Sequence, residues 1–279
     1  MKLTKQFKLG LIALICGAFT ASSVRAAMTY SQGDLLLAFR QTGNTQTYMV
    51  DLGSATSFRD ATSASSLGIT GIAADMTATF GSGWYTDSTV FASIVGGNSL
   101  STPLTGDGTG GTIPTFFNRS IYVGKSGTGS SSDTPFNTLA ASTVSGMSST
   151  IGATFGGVFA AGSATTNNTA GTFIPTSTTN DYTDLVPSGG ASNYFGGLTT
   201  STEGNANSTF DLYRILANRT NSVDTPSGNG VSQYQGAIAL SSSGVVSFTP
   251  DVVAAPEPSR VILLGLGLSG LLLRRRRKA

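Results

Sequence analysis

The 279-residue chain contains no histidine. Without an imidazole the Ser-His-Asp and Cys-His arrangements of nucleophilic catalysis are excluded, as are histidine-based zinc and copper sites. The one cysteine, Cys16, lies in an N-terminal apolar run. Once that run is set aside, the chain has no thiol, no disulfide and no thiolate metal ligand, which is compatible with an oxidising compartment without requiring one. No G-x-S-x-G elbow and no Ser-x-x-Lys element is present. Charged residues make up only 11% of the chain and there is a single tryptophan, Trp84. Carboxylate chemistry survives these shortages, since a glycosidase needs only two acids at a defined separation, and no metal or cofactor is expected.

What is present is concentrated at the two ends. Lys2, Lys5 and Lys8 precede an apolar run from Leu9 to Phe19, and Val24-Arg25-Ala26 places small side chains where signal peptidase reads. Residues 1–26 thus read as a signal peptide cleaved between Ala26 and Ala27. Cys16 raises a lipoprotein alternative, but bulky Ile15 departs from the small residue that such a site needs before its cysteine. At the other end, Pro256, Glu257 and Pro258 are followed by an apolar stretch from Val261 to Leu273 and then by Arg274, Arg275, Arg276, Arg277 and Lys278. Those 13 apolar positions make roughly 20 Å of helix at about 1.5 Å per residue, short of a hydrocarbon core about 30 Å thick. The five cations resist crossing and orient the C-terminus toward the cytoplasm. Pro256 and Pro258 hold the chain just outside the membrane extended and open to a protease. An ordinary C-terminal anchor is the competing reading.

The ends also distort the charge. Four of the 16 Lys and Arg residues precede residue 27 and six follow residue 255, together with Glu257. The body therefore keeps 6 cations against 13 acids, a net charge of −7, although the whole chain carries +2. A basic nucleic-acid surface is not supported.

The body, residues 27–255, is rich in Gly, Ser, Thr, Ala and Asn, and reads as one domain of strands and turns. Asp34–Arg40, a turn at Gln41–Asn44 and Thr45–Leu52 predict a β-hairpin. A second is predicted from Ser232–Leu240 through Ser241–Gly244 into Val245–Phe248. Val90–Val95, Arg119–Val123 and Thr209–Leu216 are further predicted strands, with helical periodicity at Ile69–Phe80 and Phe136–Ile151. Thr102–Thr112 and Gly124–Thr134 read as loops, and Gly162–Glu203 as a surface excursion. The expected fold is mainly β with minor α, laid out as an antiparallel sandwich or an α+β domain.

Several apparent motifs fail on context. Gly106-Asp107-Gly108-Thr109-Gly110-Gly111 spells G-x-G-x-x-G, but Thr112-Ile113-Pro114 follows in place of a helix, so no helix N-terminus is available for a phosphate. One carboxylate, Asp107, is too few for calcium. The sequons at Asn118, Asn167, Asn207 and Asn218 carry little weight in bacteria. Asp181 with Asp184, or Glu203 with Asp211, are the acid pairs a glycan hydrolase would need. Trp84 and Tyr85, in a glycine-rich approach, are candidates to stack on a sugar face, against a stronger expectation that a lone Trp fills the core.

The order of short polar motif, apolar helix and basic stop from Pro256 to Ala279 resembles the PEP-CTERM sorting signal of Gram-negative bacteria. The body is also similar in its strand pattern to exported proteins bearing that signal, through Gly33–Phe39 and Gly236–Phe248. The resemblance implies processing by signal peptidase and exosortase and transient residence in the inner membrane. It further implies final display at the cell surface or in extracellular polysaccharide. It carries destination and not activity. The expected role is non-catalytic, in envelope, biofilm or exopolysaccharide, with a carbohydrate-binding adhesin and a carboxylate-dependent glycan hydrolase as alternatives.

Overall fold

The computed structural model of the chain describes residues 30–98, 120–131, 133, 136–137, 139–140, 143–144, 146–149, 151, 162–164, 167–168, 170–176, 198, 201–216, 229–230 and 232–251. The predicted signal peptide, the Gly106–Gly111 motif and the segment from Pro256 onward lie outside these residues. The elements are β1 (Asp34–Gln41), β2 (Gln46–Ser54), α1 (Ala55–Arg59), β3 (Ser65–Ser66), α2 (Ile72–Phe80), β4 (Val90–Asn98) and β5 (Ser120–Gly127). There follow β6 (Leu139–Ala140), β7 (Ser163–Ala164), β8 (Gly171–Pro175), β9 (Glu203–Asn205), β10 (Thr209–Leu216), β11 (Asn229–Gly230), β12 (Ser232–Leu240) and β13 (Val246–Pro250).

Among the described residues 11 strands form one antiparallel sheet in the order β3-β13-β12-β10-β5-β4-β1-β2-β8-β7, with β9 paired to β4. The sheet curls into a half-barrel. One edge of β4 is shared: Phe91–Ser93 pair with β9, while Val95–Asn98 pair with β5. The mainly β expectation is met by this curled sheet with helices laid against it, and β6 and β11 form a separate two-stranded pair.

Both predicted hairpins are present, as β1–β2 and β12–β13. The first owes its position to what β1 buries. Leu35, Leu36, Leu37, Ala38 and Phe39 are all 0–1% exposed. Because successive side chains in a strand point to opposite faces, such a run is buried only if both faces are covered. Leu35, Leu37 and Phe39 join a core with Phe58 of α1, Ile72, Met76 and Phe80 of α2, and Trp84. Leu36 and Ala38 join another with Met49, Val95, Ile121, Val123, Phe136, Val144 and Ile151.

The helix predicted at Ile69–Phe80 begins at Ile72, because Gly71 takes the N-cap in the left-handed region at φ 87°. A side chain there would also overlap the Asn167 backbone, so the position is closed to other residues on two grounds. Ile72, Met76 and Phe80, spaced four apart, form the buried stripe.

Three expectations are corrected. The predicted Phe136–Ile151 helix is helical at 143–144, 146–149 and 151, and gives up its first turn to β6, which pairs with β11. The loop predicted from Gly124 begins later, since Gly124–Gly127 complete β5 against β10. The predicted excursion at Gly162–Glu203 contributes β7 and β8 to the sheet, with Ile174 fully buried and Phe173 packed on the first core. Its other aromatic and aliphatic candidates, Tyr182, Leu185, Val186, Tyr194 and Phe195, lie outside the described residues.

Two-sided burial of β1 predicts that Leu36→Ala and Leu37→Ala, on opposite faces, each lower the unfolding free energy by about 2–5 kcal/mol. Denaturant unfolding followed through Trp84 fluorescence measures both. A near-neutral result at either position would mean that its face is not packed.

Candidate functional site

The residues named in the sequence separate cleanly. Ala26, Ala27, Pro256, Glu257, Pro258 and the basic run Arg274–Lys278 lie outside the described residues, as do Asp107, Asp181 and Asp184. Trp84 is 2% exposed and packs edge-on to Tyr85 at 5.4 Å between ring centroids. Tyr85 is half-buried and its hydroxyl donates to the Leu240 carbonyl at 3.0 Å. The pair is therefore part of the first core, and the sugar-stacking role considered for it is corrected: the indole offers no open face. The other acid pair is not brought together as a dyad. Both carboxylate oxygens of Glu203 accept from Arg40, at 2.6 and 2.7 Å, and the guanidinium also lies 4.4 Å from the centre of the Phe91 ring. Asp211 has different partners.

Asp211 on β10 stands directly opposite Lys125 on β5. Lys125 is the only lysine in the body and is 8% exposed. Its ammonium sits 5.4 Å from the Tyr213 ring centre and 5.7 Å from that of Phe136, so aromatic faces take the place of part of its lost hydration. Tyr213 makes edge contacts with Phe136 and Tyr234, both at 5.5 Å, and its hydroxyl donates to the Asp133 carbonyl at 3.2 Å.

The Asp211 side chain is fully buried. Its Oδ1 accepts the Gly129 N–H at 2.9 Å, and its carboxyl lies within hydrogen-bonding reach of the Asp133 carboxyl. Asp133 Oδ2 accepts from the Thr128 N–H at 2.7 Å and from the Thr128 hydroxyl at 2.8 Å. Gly127 closes the arrangement: any Cβ there would overlap the Asp211 carboxylate. Burial, then the Asp133 carboxyl, push Asp211 up to about 6. The Thr128 N–H is the main cause holding Asp133 below the usual carboxylate range. Burial, helped by the charge of Asp211, pushes Tyr213 and Tyr234 up to about 12. The two carboxyls are thus pushed apart, Asp211 up and Asp133 down, the division that lets such a pair share a proton in mildly acidic surroundings. In glycan hydrolases the two carboxyls stand about 5 Å or more apart to admit the sugar; a pair within hydrogen-bonding reach, with one member buried, does not match that spacing.

A second acid pair lies at the β1–β2 bulge, where the register shifts between Leu35 and Leu36. The Asp34 and Asp51 carboxyls lie within hydrogen-bonding reach of each other, while Asp34 Oδ2 accepts from the Ser31 N–H at 3.0 Å and Asp51 Oδ1 from the Gly53 N–H at 2.7 Å. Burial, then the charge of Asp34, push Asp51 up to about 6. Burial raises Asp34 and the nearby Tyr30 as well.

The remaining buried carboxylate, Asp75, is 1% exposed and meets neutral donors. Tyr48 Oη donates to Oδ2 at 3.1 Å and Asn167 Nδ2 to Oδ1 at 2.8 Å, and Asn168 Nδ2 donates to Tyr48 Oη at 2.8 Å. Burial raises the Tyr48 hydroxyl far above its ordinary value. This chain of bonds fastens α2 to β2 and engages the amide of one sequon, Asn167; Asn207 is exposed in a turn. Among the described residues no three His, Cys, Asp or Glu side chains group to hold a metal, and no helix is long and apolar enough to cross a membrane.

The acid pairs were not anticipated in the sequence. The available signals are Asp211 inside the aromatic- and aliphatic-rich strand Thr209–Leu216 and the solitary Lys125, but pairing each with its partner needs the β5–β10 register.

A carboxyl whose folded-state value is raised holds its proton to higher pH than the unfolded chain does. Between about pH 4 and pH 6 the folded protein then binds more protons, so its stability falls as pH rises through that window and levels off above it. Asp51→Asn is expected to remove part of this fall, measured as the denaturant midpoint at several pH values; an unchanged profile would show that Asp51 does not contribute. Glu203→Gln, which removes the charge pairing with Arg40 and one of its two acceptor oxygens, is expected to speed amide exchange in β9 while leaving β12 protected, read by hydrogen exchange.

Comparison with known proteins finds no match to this chain among family models, curated proteins or solved structures.

Proposed function

We propose that the protein is an exported surface or extracellular-matrix component with a non-catalytic role in the cell envelope, biofilm or exopolysaccharide layer. Signal peptidase would release it from residues 1–26, and exosortase would process it near Pro256-Glu257-Pro258 after transient anchoring in the inner membrane. The observation that carries this reading is the ordered tail, in which the proline-flanked acid, the apolar stretch Val261–Leu273 and the block Arg274–Lys278 follow in order, with only Ser259 and Arg260 between the first two. A leader at the opposite end of the same chain supports it.

The body is consistent with that role. Its buried carboxylates are engaged in holding elements together: Glu203 on Arg40, Asp75 on Tyr48 and Asn167, and Asp211 on Gly129 and Asp133. Such a domain is suited to persist where it is displayed. Burial of Trp84 removes the platform on which the adhesin alternative rested, and Glu203, half of one acid pair a hydrolase would use, is held by Arg40.

Intact-mass measurement and fractionation of the mature protein from cells with and without exosortase test the proposal. With exosortase, the protein is expected to lack both its leader and the segment beyond the Pro256–Pro258 motif and to leave the inner membrane. Without it, the C-terminal segment is expected to stay attached and the protein to remain in the membrane fraction. Retention of that segment in both strains would leave a permanent anchor and overturn the sorting step.

A further inference from the structure

The Asp133–Asp211 arrangement has a charge balance that changes with a single proton. With one proton between the carboxyls, the remaining carboxylate and the Lys125 ammonium cancel. Without it, two negative charges face one positive charge. The other titratable groups nearby do not restore the balance: Tyr213 on β10 and Tyr234 on β12 stay neutral well beyond physiological pH, and Asp251, after β13, adds negative charge near Tyr234. Arg214, the nearest cation along β10, lies next in alternation after Tyr213 and acts on Asp60, on the opposite side of the sheet.

Independent geometry points the same way. Asp211 Oδ2 is buried and has no hydrogen-bond donor among the described residues. The atom is pressed against the bare Cα of Gly127, and the carboxyl that carries it lies within reach of Asp133. A buried carboxylate oxygen without a donor is expensive, and a proton shared with Asp133 supplies the missing bond. A metal ion is a poor substitute. Calcium requires six or more oxygen ligands, whereas Gly127 crowds Oδ2 on one side and Lys125 already places a cation beside the pair.

We propose that Asp133 and Asp211 form a proton-binding site that latches the turn leaving β5 onto β10. The proton joins the two carboxyls and so ties Thr128, Gly129 and Asp133 to the sheet; its loss sets like charges against each other and releases the turn. The latch depends only on the body and is independent of how the protein is exported. Asp211's rise to about 6 places the change between mildly acidic and neutral surroundings. Asp34 and Asp51 lie at the β1–β2 end, so residue-resolved measurements separate the two pairs.

The test is amide and carboxyl NMR of the isotope-labelled full-length chain in detergent, from about pH 4 to about pH 8. The Asp211 carboxyl carbon and the Gly129 amide are expected to titrate together. Exchange protection at Thr128 and Gly129, corrected for the intrinsic effect of pH, is expected to fall about tenfold across the transition. In Asp211→Asn the carboxamide donates permanently to Asp133, so the transition disappears and protection persists at the alkaline end. Asp211→Ala loses protection at both ends. Asp133→Asn, which places the donor on the partially exposed partner, should match Asp211→Asn even if the buried substitution fails to fold. An Asp211 carboxyl that titrates in the ordinary range, or a turn whose protection is independent of pH in the unaltered chain, would overturn the latch.

Discussion

Two-sided burial of β1 is the constraint on which the rest of the structure depends. Five consecutive apolar side chains cannot be covered by one layer, and the strand's backbone must also be paired on both edges. β2 and β4 supply the edges. α1, α2 and Trp84 supply one cover directly after the first hairpin, but the other must come from Phe136, Val144, Ile151 and Leu198, far along the chain. Gly97 admits this second cover, since a Cβ there would press on Ile151. A sheet of this kind is consolidated only when distant segments arrive, which places much of its stability in contacts of long sequence separation.

Burying so much apolar surface leaves the few charged groups with limited choices. The structure uses three. Glu203 is matched by the opposite charge of Arg40, Asp75 by neutral donors on two further segments, and Asp211 and Asp51 each by another carboxyl. The third solution makes the fold depend on protons in a way that the first two do not. It arises twice, at opposite ends of β-strand pairs, where a carboxyl on one strand meets an acid offered by a turn or bulge.

Legibility in the sequence followed the range of the interaction. The hairpins β1–β2 and β12–β13 and the buried stripe of α2 are local, and their turn residues and periodicities lie within a few positions. β8 was not legible, because Gly171–Pro175 is a strand only by virtue of β2, more than a hundred residues earlier. The sequence around Trp84 allows both a core residue and a sugar platform, and packing in the first core decides for the former. Glu203 was considered as half of a catalytic pair with Asp211, but pairing β9 with β4 gave it Arg40 instead.

By itself the sequence determined the chemical vocabulary: no imidazole anywhere, an acidic body between two cationic ends, and enough β-forming and turn-forming residues for a mainly β fold. Those properties depend on composition and short-range order. Which acids meet, which aromatic rings are covered and where a proton is held were decided only by tertiary structure. The reason is that a carboxyl's partners are set by strand register, and register between β5 and β10 is a consequence of how the whole curled sheet closes over its two cores.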